Sequence, residues 1–176
     1  VIGAPSDENE TRQVLYSAYQ YKGPAAIRYP RGTGPGAVIA DQLTGADIGK
    51  AIDVHNGERV AILSFGTLLP AAIGAAAHLG ATVVNMRWGK PLDETRVLEL
   101  AAEHELLVTL EENSVAGGAG AGINELLAAQ GVYTPVLNLG LPDRFVDHGS
   151  HEQQLAWTGL EVTQIITSIE SRLKDI

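Results

Sequence analysis

The chain has 176 residues, 45% of them hydrophobic, with 20 glycines and no cysteine. That composition suits tightly packed α/β layers, argues against disorder, and excludes a disulfide framework, a cysteine zinc site and thiol catalysis. A net charge of −9 without any basic run makes nucleic acid and anionic membrane poor partners, although a single local arginine can still hold a small phosphate.

In chain order, Val1 to Pro5 reads as the end of a strand. The chain therefore begins inside a strand, which predicts that something upstream is missing. Ser6 is the expected N-cap of a helix running to about Tyr21, with Asp7, Glu8 and Glu10 favoured by the helix dipole in the first turn. Val14, Leu15, Ala18 and Tyr19 share one face, and Gly23-Pro24 stops the helix. Ala25 to Tyr29 is a second strand, followed by Pro30, Arg31 and Gly32. Two strands and one helix cannot bury both faces of a sheet, so residues 1–32 predict the tail of a larger α/β domain. Gly32 to about Ala46 is glycine-rich and without period, a linker or surface crossing.

A second unit starts at Asp47. Ile48 to Val54 suggests an edge strand turned by Asn56-Gly57, and Val60 to Phe65 is the next strand. Gly66-Thr67 leads to a helix over about 68–79, Ala81 to Met86 is a strand, and Pro91-Leu92-Asp93 starts a helix to about Glu105. A strand over 106–110, a glycine loop and a helix to about Ala129 follow, then a short strand from Pro135 to Leu139. In the last helix, 160–173, Val162, Ile165, Ile166, Ile169 and Leu173 fall at offsets 0, 3, 4, 7 and 11, an amphipathic stripe. Alternating strands and helices predict a mainly parallel sheet of four or five strands, covered on both faces.

Several residues invite a chemical reading. Gly117, Gly118, Gly120 and Gly122 follow a strand and open a helix, the shape that cradles phosphates. The third glycine is out of place for a dinucleotide fingerprint, and no G-K-[ST] follows, so close packing is the preferred explanation. Glu111 and Glu112 are neighbours in an extended segment and point to opposite sides; one of them can bind amides of the glycine loop. Thr67 is read as an ordinary helix cap rather than part of an anion site. His148 and His151 flank a Gly-Ser turn without a third metal ligand, and are read as exposed loop residues. The arginines of AIRYPRG are more informative, because the C-terminal end of a parallel strand opens towards ligand crevices. Arg31, beyond Pro30, can grip a phosphate bidentately or pair with an acidic neighbour such as Asp7 or Glu10; spacing does not decide. No apolar run approaches the roughly 18 residues of a membrane span, and no secretion leader is evident, so a cytoplasmic protein is the default.

Taken together, PSDENETRQVLYSAY, AIRYPRG, SFGTLLPAA, MRWGKPLDE, LVTLEENSVAGGAGAGINELL and VLNLGLPDRFVDHG closely resemble, in this order, the C-terminal part of the 1-deoxy-D-xylulose-5-phosphate synthase family of the transketolase superfamily. Trp88-Gly89 is a departure, where a bulkier apolar pair is expected. The resemblance implies a homodimeric transferase dependent on thiamine diphosphate and Mg2+. It condenses pyruvate with glyceraldehyde 3-phosphate, releases CO2, and serves isoprenoid, thiamine and pyridoxal synthesis. Residues 1–40 would be the tail of its middle, pyrimidine-binding domain, 41–46 a linker, and 47–176 its transketolase-type C-terminal domain. Arg31 matches the arginine that holds the phosphate of glyceraldehyde 3-phosphate. The cofactor and metal ligands and the catalytic groups lie upstream in the family, so this chain alone is expected to be inactive and to bind no cofactor. Rival readings are the C-terminal domain of a transketolase or of a 2-oxoacid dehydrogenase β subunit, and a non-catalytic dimerisation module.

Overall fold

The computed structural model describes residues 1–176. The N-terminal segment folds as β1 (Ile2–Gly3), α1 (Glu8–Gln20) and β2 (Ala26–Ile27). The rest folds as β3 (Ile52–His55), β4 (Val60–Phe65), α2 (Leu69–Leu79), β5 (Thr82–Asn85), β6 (Trp88–Lys90) and α3 (Glu94–Glu103), then β7 (Leu106–Ser114), α4 (Ala119–Gln130), β8 (Val136–Leu141), α5 (His151–Thr158) and α6 (Val162–Leu173). No helix is long and apolar enough to cross a membrane.

All six residues of β4 are buried, as a central strand covered on both faces requires. It sits third in a five-stranded sheet of order β3-β5-β4-β7-β8. β5, β4, β7 and β8 run parallel, and β3 is an antiparallel edge. This is the mainly parallel, helix-flanked sheet that the alternation of elements predicts. Successive side chains of a strand point to opposite faces, so β4 feeds two cores. Val60 and Ile62 join Ala72, Ala75, Ile165 and Ile169 beneath α2 and α6. Ala61 and Leu63 join Val97, Leu100, Ile123 and Leu127 beneath α3 and α4. The stripe of α6 behaves as its spacing predicts: Ile165 and Ile169 are fully buried, and Val162, Ile166 and Leu173 pack beside them.

The N-terminal segment forms its own three-stranded sheet of order β2-β1-β6. Its third strand comes from far along the chain, since β6 pairs antiparallel with β1. Nothing in the sequence signals β6, which is three residues long with Gly89 at its centre. Trp88 packs this small sheet against α1, fully buried with Val14 and Ala46. Beside it, Arg87 Nε lies 3.1 Å from Glu10 Oε1, close but not aligned as a hydrogen bond. Asn85 Nδ2 donates to both Glu10 oxygens at 3.0 Å. A part-buried carboxylate of α1 is thus held by two residues around the end of β5.

The cap of α1 is Asp7 and not Ser6: Asp7 Oδ1 accepts from Glu10 N at 2.8 Å. A carboxylate accepts more strongly than a hydroxyl and suits the positive end of the helix. Ser6 N instead donates to Glu10 Oε2 at 2.7 Å.

Residues 32–46 lack regular structure, yet six of their amides are satisfied by side chains of α1. Glu8 takes Gly36 N, Asn9 takes Ala40 N, and Gln13 takes Thr44 N and Gly45 N. Ser17 Oγ both donates to Ala46 O and accepts from Ala46 N, each at 2.7 Å. The segment is a strap laid along the helix in the same direction. Its own backbone N–H, then those of Gly36 and Ala37, hold the Glu8 carboxyl below its usual range.

Candidate functional site

Parallel strands gather loops at their C-terminal ends, and here residues at the ends of β1, β2, β4 and β7 line shared cavities. After β4, Gly66 adopts φ 84°, and an added Cβ would stand 3.7 Å from Ala4 Cβ and from Pro5 O. The left-handed turn favours glycine there and brings the two sheets' loops together. Ser6, Asp7, Tyr29, Pro30, Gly32 and Thr67 line a cleft of about 210 Å³ at this junction. A second cavity of about 260 Å³ adjoins Arg28, Lys90, Glu111, Asn113 and Gly118.

Arg31 stands at the rim, exposed, in the bend that follows Pro30. It forms no ion pair within the chain. Of the two partners that sequence spacing offers it, Asp7 caps α1 and Glu10 is held by Arg87 and Asn85. Its guanidinium is left to solvent or to a ligand. Arg28, three residues earlier, donates from Nη2 to the main-chain oxygen of Glu112.

Glu111 and Glu112 turn to opposite sides, as an extended segment dictates. The buried Glu111 carboxylate accepts Ala119 N and Gly120 N, each at 2.9 Å, and so closes the glycine loop on itself. The glycines are small for this reason: a Cβ on Gly118 would stand 2.5 Å from Glu111 Oε1, and one on Gly120 would stand 2.4 Å from Thr109 Oγ1. Glu111→Ala would orphan two amides at the start of α4. We expect it to cost about 2 kcal/mol, read as a lower urea midpoint at unchanged slope; an unmoved midpoint would show that solvent replaces the carboxylate.

Glu112 faces the other way. Its carboxylate accepts the Thr67 hydroxyl and lies 2.6 Å from His151 Nε2. Two sequence readings change here. Thr67 does not cap α2, whose N-cap is Leu68 without a side-chain bond; its hydroxyl is drawn to the stronger acceptor, Glu112. His151 is not a loop residue but the first residue of α5. His148 does lie in an exposed loop. α5 escapes a search for apolar stripes because it buries no residue, whereas the capping box of Ser150 and Gln153 was its readable signal.

A diphosphate seeks free amides at a helix N-terminus, and the amides of α4 are taken by a carboxylate that repels a second anion. The N-terminus of α4 therefore has no free amides to offer a diphosphate. No three His, Asp or Glu side chains are grouped to hold a metal ion.

Residues 49–165 match the family model described as transketolase, C-terminal domain. The 1-deoxy-D-xylulose-5-phosphate synthases of Cellvibrio japonicus and Alcanivorax borkumensis are each 54% identical over 173 residues, 98% of this chain. That of Hahella chejuensis is 53% identical over 176 residues. The chain spans 27% of the length of these relatives. Among solved structures, a split-gene transketolase described as an inactive β4 tetramer superposes with a TM-score of 0.89 at 28% identity, over 98% of this chain and 57% of that one.

Proposed function

The chain belongs to the transketolase C-terminal domain family, and from that premise we propose that it is the C-terminal part of a 1-deoxy-D-xylulose-5-phosphate synthase. The whole enzyme would condense pyruvate with glyceraldehyde 3-phosphate, with loss of CO2, to give 1-deoxy-D-xylulose 5-phosphate for isoprenoid, thiamine and pyridoxal synthesis. The observation that carries this reading is the reach of the likeness. The family model stops short of residues 1–48, yet the 54% identity extends over 98% of the chain and so into the segment that bears Arg31. The transketolase alternative rests on the lower identity of 28%.

In this reading residues 1–40 complete a middle, pyrimidine-binding domain, 41–46 link, and 47–176 form the C-terminal domain of a cytoplasmic homodimer. Thiamine diphosphate and Mg2+ are held by the remainder of the enzyme. This chain's contribution to the chemistry is Arg31, whose planar fork matches two phosphate oxygens and is ion-paired to no carboxylate of the chain.

The test supplies the full-length protein with cofactor, pyruvate and glyceraldehyde 3-phosphate and follows CO2 and the new ketose phosphate by NMR. The full-length protein should form both, and the 176-residue chain neither. Product from the chain alone would overturn its assignment as a cofactor-free part. Turnover of a ketose phosphate donor in place of pyruvate would favour transketolase.

A further inference from the structure

Arg31 can grip a phosphate only if its backbone is held, and the bend that carries it has no regular structure. Two contacts bracket that bend. Downstream, Gly36 N and Ala37 N donate to the Glu8 carboxylate at 2.9 and 3.2 Å. Upstream, the main chain of Arg28 donates to Gly3 O at 2.8 Å, and its guanidinium donates to Glu112 O in β7. The acceptor is itself fixed. Glu112 is held through its carboxylate by Thr67 at the start of α2 and by His151 at the start of α5, with its side chain only 11% exposed. Only Tyr29 and Pro30 separate Arg28 from Arg31, a span of at most about 10 Å, and the proline ring fixes one of its torsions. The bond from Arg28 to Glu112 O therefore ties this short span to β7 in addition to its main-chain bond to Gly3.

We propose that Arg28 is a positioning residue for the phosphate-binding Arg31: its bond to Glu112 pins AIRYPRG to the end of the five-stranded sheet, so that this sheet sets where the substrate phosphate is held. The proposal rests on the reading of Arg31 above. Arg28 acts through Arg31 and does not touch the phosphate.

Four forms of the full-length enzyme test it: parent, Arg28→Met, Arg31→Ala and the double variant. Arg28→Met should raise the KM for glyceraldehyde 3-phosphate about tenfold and leave that for pyruvate within about twofold, the loss expected for one hydrogen bond from a charged donor. Arg28→Lys, which keeps a charged donor, should recover part of it. The double variant should be no worse than Arg31→Ala, because a clamp has nothing left to position. Additive losses would make Arg28 a phosphate ligand and overturn the proposal, as would an unchanged KM in Arg28→Met. If Arg28→Met unfolds, Arg28→Gln takes its place, since it stays polar and removes the charged donor. A rise in the KM for glyceraldehyde 3-phosphate alone upholds the clamp, and no rise overturns it. A parent enzyme inactive on these substrates overturns the functional reading and this inference together; an active parent with additive losses overturns the inference alone.

Discussion

Arg31→Ala in the full-length enzyme should raise the KM for glyceraldehyde 3-phosphate about a hundredfold and leave the KM for pyruvate within about twofold. The size follows from two charge-assisted hydrogen bonds of about 1.5 kcal/mol each, together about two decades of affinity. The phosphate is remote from the bonds that change, so its grip is equal in ground and transition states. Loss of such uniform binding appears in KM rather than kcat. Pyruvate carries no phosphate and supplies the internal control. Arg31→Lys keeps the charge but loses the planar fork, and should fall between the parent and Arg31→Ala. Unphosphorylated glyceraldehyde gives an independent check, because parent and Arg31→Ala should use it equally poorly. Equal damage to both substrates, or a retained advantage of the parent on glyceraldehyde, would remove Arg31 from the phosphate.

That prediction draws on a residue whose proposed role the sequence leaves open between a phosphate and an acidic neighbour. Spacing places Arg31 beyond a strand end but leaves it free to pair with Asp7 or Glu10; only the fold shows both carboxylates engaged elsewhere. The elements with a strong period were legible. Val60 to Phe65 is a strand over the expected residues, and the stripe of 162–173 lies on the core. What escaped has no period to read. β6 is three residues paired with a strand more than 80 positions away, and α5 buries no apolar face. Likewise, composition marks 32–46 as a linker because its satisfaction comes from side chains of α1, which no local pattern records. The glycines after β7 were legible as close packing, but not their partner: a cradle for a diphosphate and a loop wrapped on its own Glu111 have the same strand-glycine-helix outline.

The seam between the small sheet and α1 should be most sensitive at Trp88. Its indole is fully buried, and a Cβ on Gly3 would stand 3.1 Å from the ring, so the ring lies directly on the β1 backbone. Trp88→Ala should cost about 3–5 kcal/mol through lost burial and the cavity left behind. One term opposes this: Trp88 Nε1 is buried without a protein partner, a penalty of about 1–3 kcal/mol that truncation relieves. A net loss of about 2 kcal/mol is a sizeable share of the 5–15 kcal/mol typical of a folded protein, and should lower the melting temperature by about 4–8 °C. The loss is local to the seam, since Trp88 packs with Val14 and Ala46 and belongs to neither core of the five-stranded sheet. In Trp88→Ala, limited proteolysis should therefore cut within residues 1–46 before the five-stranded sheet opens. Trp88→Phe keeps most of the buried area and removes the unpaired N–H, so it should stay within about 1 kcal/mol of the parent. Equal melting temperatures for Trp88→Ala and Trp88→Phe would show that the seam is held elsewhere, by Glu10 with Arg87 and Asn85. The neighbouring departure from the family should matter less, because a Cβ at Gly89 meets only Ala119 Cβ at 3.9 Å. Room for a larger side chain at 89 means that the tryptophan alone carries the packing of this pair.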